Sequence, residues 1–125
     1  MTEERISDFL DNGVRVVVPQ GSLDPEGGPV LEQRCVELIE SGDRRLLLDL
    51  SGVDFVSSAG LRGLVMVVKK LQAVGGQLVF CGLRPIVSRV FEVSGFSTFL
   101  RIEADRDKAS EALHTALAVP ADSVN

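Results

Sequence analysis

The sequence predicts an α/β fold: one domain with a mixed, mostly parallel sheet, an N-terminal β-hairpin and helices packed on the sheet. Three observations predict it. After the opening hairpin, strand-like and helix-like segments alternate, the pattern of a parallel α/β domain. Leu46-Leu47-Leu48-Asp49-Leu50 is a nearly continuous apolar run, as expected of a strand covered on both faces. Asn12-Gly13 separates two strand-like runs, and a two-residue hairpin turn needs positive φ at both positions, which Asn and Gly tolerate best.

The elements follow in order. Ile6 to Leu10 forms the first arm of the hairpin, and Val14, Val16, Val17 and Val18 the second, ending at Pro19. A loop rich in Gly, Pro and acid covers residues 20–28. Pro29 fits the first turn of a helix. Leu31, Cys35, Leu38 and Ile39 then recur at helical spacing until Gly42 stops the helix. After the Leu46–Leu50 strand, residues 51–56 lead to Ser57-Ser58. A helix is expected from about Ala59 to Val74, ended by Gly75-Gly76. Gln77 to Cys81 is the next strand. Pro85 opens a helix reaching about Val93, with Gly95 as its cap. Phe96, Phe99, Leu100 and Ile102 read as a last short strand. Asp105 to Leu117 reads as an amphipathic helix with Ala109, Leu113 and Leu117 inward. The domain is expected over residues 1–119, with 120–125 as a flexible tail.

Composition narrows the function. The chain has 125 residues, a net charge of −5 and neither Trp nor Tyr, so no direct nucleic-acid partner is expected. The longest apolar stretch, Leu61 to Val74, is interrupted by Arg62, Lys69 and Lys70 and falls short of the ~20 residues a bilayer span needs. With a charged N-terminus and no apolar leader, the chain reads as cytoplasmic, reduced and off the membrane. Cys35 and Cys81 read as buried small hydrophobes rather than a disulfide. No zinc ligand set is visible, so no metal or cofactor is expected.

Enzymatic readings fare poorly. The lone His114 sits on the last amphipathic helix, away from any G-x-S-x-G elbow. Gly27-Gly28 lacks the Lys-Ser/Thr of a phosphate-binding loop. Asp49 ends an apolar strand as a phosphoacceptor aspartate would, but the opening hairpin offers no acidic pair to hold a divalent cation.

The informative segment is Asp54-Phe55-Val56-Ser57-Ser58-Ala59-Gly60-Leu61-Arg62. In the plain reading one serine caps the helix and the other is solvated. In the functional reading the helix start, with its unpaired N–H groups, accommodates a phosphoryl group and displays its charge to a partner. Leu61, Leu64, Val65, Val68 and Leu71 share one face, expected to be the core. Gly60, Gly63, Met66 and Val67 fall off that face. Gly63, Met66 and Val67, flanked by Arg62, then form either a partner-docking strip beside Ser58 or a surface covered by another element of the same domain.

The run LLLDLSGVDFVSSAGLRGL, preceded by GSLD and followed by GGQLVFCGLRPIVSRVFEVSGF, resembles the bacterial anti-sigma factor antagonists of the STAS domain family over nearly the whole chain. The resemblance implies a STAS fold and a partner-switching role. The unphosphorylated protein binds an anti-sigma factor that is a serine kinase, so the sigma factor is freed. Phosphorylation ends the binding and a serine phosphatase restores it. By position the phosphorylated residue is Ser58, with Ser57 second to it, and Asp24 helps engage the partner. Ser57 stands where the family commonly has an acidic residue, and Ala59 replaces a Ser or Thr. The alternative is a STAS scaffold module without a phosphorylation cycle.

Overall fold

The computed structural model describes residues 5–98 and 100–118, with side chains as far as residue 115. Strands β1 (Ile6–Asp11) and β2 (Val14–Pro19) form the antiparallel hairpin. Asn12 and Gly13 turn it with φ of 54° and 83°, as a two-residue turn between twisted strands demands. A short strand, β3 (Gly21–Leu23), lies within the segment expected to be loop. Helix α1 (Gly27–Glu40) starts two residues before Pro29. Then come β4 (Arg45–Asp49), β5 (Val53–Val56), α2 (Ser58–Ala73), β6 (Gln77–Cys81), α3 (Pro85–Ser94), β7 (Ile102–Glu103) and α4 (Arg106–Ala118).

The main sheet has the order β1-β2-β4-β6-β7, and only the β1–β2 pair is antiparallel. β3 and β5 pair in parallel as a separate two-stranded sheet. The pleat divides the apolar residues between two layers. Val17, Leu46, Leu48, Leu78 and Phe80 pack with Leu31, Leu64, Leu71 and Phe91 of α1, α2 and α3. Val14, Val16, Val18, Leu47 and Val79 pack with Ala109, Ala112 and Leu113 of α4. Coverage of both faces is why β4 reads as one apolar run rather than an alternation.

Two expectations need correction or limits. Phe96–Thr98 is a 3-10 turn, and among the described residues of the expected last strand only Ile102 pairs, opposite Phe80. Local bonds win there: Gly95 adopts φ 83°, the Thr98 hydroxyl donates to its carbonyl at 2.7 Å, and the Leu100 amide donates to the Phe96 carbonyl at 3.0 Å. Phe99, the Leu117 side chain and the tail 120–125 lie outside the described residues. Cys35 and Cys81 are free and buried, and burial pushes both thiols up to about 12. Among the described residues, no helix is long and apolar enough to cross a membrane.

Candidate functional site

β5 delivers the chain to Ser57-Ser58, and its pairing sets what lies beside them. Leu23, the last residue of β3, is opposite Val56. The Ser57 amide donates to the Leu23 carbonyl at 2.9 Å, and the Ser57 hydroxyl donates to the same carbonyl at 3.1 Å. The hydroxyl oxygen also accepts from the Gly60 N–H at 3.0 Å. Ser57 is therefore the N-cap of α2, with extended φ and ψ of −81° and 170°, and Ser58 is the first helical residue. Ser57 is half-buried and Ser58 is exposed. Among the described residues, nothing hydrogen-bonds the Ser58 hydroxyl.

Glycine makes the close approach achievable. A Cβ on Gly60 would collide with the Leu23 carbonyl, and one on Gly28 would come within 2.9 Å of the Gly60 Cα. The starts of α1 and α2 thus meet backbone to backbone.

Asp24 follows Leu23 directly. Its Oδ1 accepts from the N–H groups of Gly27 at 2.6 Å and Glu26 at 3.0 Å, opening α1. The Gly27 bond, against a smaller opposing effect of burial and with help from Glu26, holds its carboxyl below the usual range. Asp24 is therefore an ionised carboxylate at neutral pH, one residue past the carbonyl that anchors Ser57.

The structure divides the expected docking strip. Met66 is exposed (39%), as is Arg62, and with Ser58 they recur every four residues along one open ridge of α2. Gly63 and Val67 are buried, Val67 completely, so for these two the docking-strip expectation is corrected and the alternative, cover by another element of the same domain, holds. The reason is that α2 packs on two sides. Leu61, Leu64, Val68 and Leu71 belong to the core, while Gly60 and Gly63 face α1, where Glu32 and the Gly28 carbonyl lie close. Val65, expected in the core, is only half-buried. Phe55 was not singled out from the sequence; it is 46% exposed in the strand that leads into the serines. Its signal was faint, a single aromatic in a strand of four residues.

Two other noted residues serve the scaffold. Asp49 accepts from the Ser51 N–H at 3.0 Å and pairs with Arg106 at 2.6 Å. Burial alone would raise its pKa, but the Ser51 and Arg106 bonds outweigh that and hold the carboxyl below its ordinary value. The His114 ring bridges the Ser110 carbonyl (2.8 Å) and the Asn12 carbonyl (3.0 Å), tying α4 to the hairpin turn. Among the described residues, no group of three or more His, Cys, Asp or Glu is placed to hold a metal.

A groove of about 640 Å³ runs between β1 and α1 and is lined by Ile6, Asp8, Pro29, Val30, Gln33, Arg34 and Glu37. None of the predicted site residues lines it. Ser58, Arg62 and Met66 instead form an exposed ridge of α2, with Asp24 on the loop after β3. Such a surface suits a macromolecule better than a small substrate, which binds in a concavity.

Comparisons with known proteins bear on this surface. The family model for the STAS domain matches residues 10–109. A Bordetella bronchiseptica protein named as the anti-sigma factor antagonist BtrV is 39% identical over 106 residues, covering 85% of this chain and 91% of that protein. The anti-sigma-B factor antagonist of Bacillus subtilis is 30% identical over 94 residues, covering 75% and 84%. The crystal structure of an anti-sigma factor antagonist from Mycobacterium paratuberculosis superposes with a TM-score of 0.80 at 27% identity, covering 87% of this chain and 92% of that one.

Proposed function

The chain belongs to the STAS domain family, and from that premise we propose that it acts as an anti-sigma factor antagonist switched by phosphorylation of Ser58. The unmodified protein docks on an anti-sigma factor that is itself a serine kinase, and the sigma factor is released. Transfer of a phosphoryl group to Ser58 ends the docking, and a serine phosphatase resets it. The partners are cytoplasmic proteins rather than nucleic acid or membrane, and the protein needs no cofactor and catalyses no reaction.

The observation that carries this reading is the contrast between two adjacent serines. The Ser57 hydroxyl is committed on both sides, whereas Ser58 is exposed at the first helical position with its hydroxyl open. A phosphoryl group there adds about −1.5 to −2 charge at neutral pH. The start of α2 tolerates that charge, because unpaired N–H groups face it. A partner resting on Ser58, Arg62 and Met66 does not, since its contacts were formed against a neutral hydroxyl. A loss of only ~1.4 kcal/mol weakens binding tenfold.

The test is incubation with the cognate anti-sigma factor and ATP, followed by pull-down, intact-mass measurement and fragmentation that locates the phosphate. One added phosphate on Ser58, found only in the unbound fraction, supports the switch. Equal retention of modified and unmodified forms would favour the scaffold alternative and refute the switch.

A further inference from the structure

The two bonds of the Ser57 hydroxyl differ in chemistry. Toward Gly60 it accepts, as many helix-capping side chains do. Toward the Leu23 carbonyl it donates, which a carboxylate cannot do. That carbonyl takes two protons from one residue, the Ser57 N–H and the Ser57 O–H, so both of its lone pairs are used. Leu23 is nearly sealed from solvent at 3% exposure. The next residue, Asp24, opens α1 through Gly27 and Glu26. A continuous path of bonds therefore joins the first turn of α2 to the first turn of α1, and the Ser57 proton is one of its links.

We infer that Ser57 is a positioning residue: its hydroxyl proton holds the Asp24 loop in register with the start of α2, so that Asp24 and Ser58 are presented as one rigid surface. The same engagement directs modification away from Ser57. Transfer of the γ-phosphoryl of ATP to its Oγ would form the O–P bond, release ADP and displace the proton that Leu23 accepts. It would also set anionic oxygens against a buried carbonyl. This last consequence rests on the proposed switch; the lock itself does not.

Three variants of the full chain separate the donor half from the acceptor half. Ser57→Thr keeps both, Ser57→Asp keeps only the acceptor, and Ser57→Ala keeps neither. Amide hydrogen exchange is read at Gly60, which reports the cap, and at Glu26 and Gly27, which report the Asp24 loop. The Asp variant is expected to exchange like the parent at Gly60 and roughly two- to tenfold faster at Glu26 and Gly27, the range for one lost hydrogen bond. The Ala variant speeds up at all three, and the Thr variant matches the parent.

Parent-like exchange at Glu26 and Gly27 in the Asp variant overturns the lock, as does a Thr variant that behaves like Ala. If the Asp variant does not fold, the Thr and Ala variants decide it, and equal rates at Gly27 count against the lock. A second arm uses the anti-sigma factor. Binding should weaken about tenfold in the Asp variant and recover in the Thr variant, and unchanged binding in the Asp variant refutes the single-surface claim. Phosphate on Ser57 of the parent also overturns the proposal. Phosphate on neither serine removes the switch instead, while the exchange rates still decide the lock.

Discussion

A hydroxyl at the first position of a helix stands among unpaired backbone N–H groups, so an anion placed there is accepted by the helix and felt by whatever docks alongside. Ser58→Asp should therefore leave the thermal unfolding curve nearly unchanged and weaken binding to the anti-sigma factor by about tenfold or more, ~1.4 kcal/mol, in a calorimetric titration. Ser58→Ala should bind constitutively and take up no phosphate. Neighbouring residues on α2 make a sharper pair. Met66→Glu adds a charge at a side chain already 39% exposed and should fold normally while losing partner affinity. Val67→Glu buries a carboxylate in a site with no solvent access and should cost several kcal/mol, enough to threaten the fold. Circular dichroism of the two variants tests the assignment, and a Met66→Glu protein that fails to fold would show that this face is structural. The sequence alone separated Ser58 from Ser57 only through the resemblance. Which serine caps depends on where β3 ends, and the Leu23 carbonyl is not visible in a linear pattern.

At the level of elements, the site is made by two helix starts in backbone contact. Gly60→Ala would drive a methyl group into the Leu23 carbonyl. A loss of about 1–3 kcal/mol in thermal stability is expected, typical of overpacking a tight contact. A variant as stable as the parent would mean that α1 and α2 can separate without cost. On the other face of the sheet α4 is held by Arg106, which pairs with Asp49 and lies 5.5 Å over the Phe9 ring, and by His114. Long elements were legible because their periodicity repeats: the apolar positions of α1, the bulk of α2, and β6 fall where the spacing placed them. β3 was not, because a strand of three residues is too short for a period of two to stand out. One apolar stripe does not fix the outward side of α2 either, because this helix touches both the sheet and α1, which draws Gly63 and Val67 inward.

Across the whole molecule, acid is the condition to which the fold should respond. Asp24 and Asp49 both have carboxyl groups held below the ordinary range. For a group depressed in the folded state, the added stability is complete above the unfolded pKa, about 3.9 for Asp. It is lost as pH falls through the lower folded value. The melting temperature should hold steady from neutrality down to about pH 5 and drop below about pH 4. Asp49→Asn should lower stability at neutral pH and flatten that acid limb. A parallel acid limb in the variant would show that Asp49 does not contribute to it.

The amino-acid sequence by itself determined the class of fold and its opening hairpin, because turn chemistry at Asn12-Gly13 and a doubly covered apolar run at Leu46–Leu48 act locally. It also determined that a serine pair opens a helix. Only the tertiary structure decided which serine is committed and which is free, and which side of α2 faces outward. Those outcomes depend on contacts between residues far apart in the chain, Leu23 with Ser57 and Gly28 with Gly60. Non-local contacts of this kind leave no periodic mark on the segments they join.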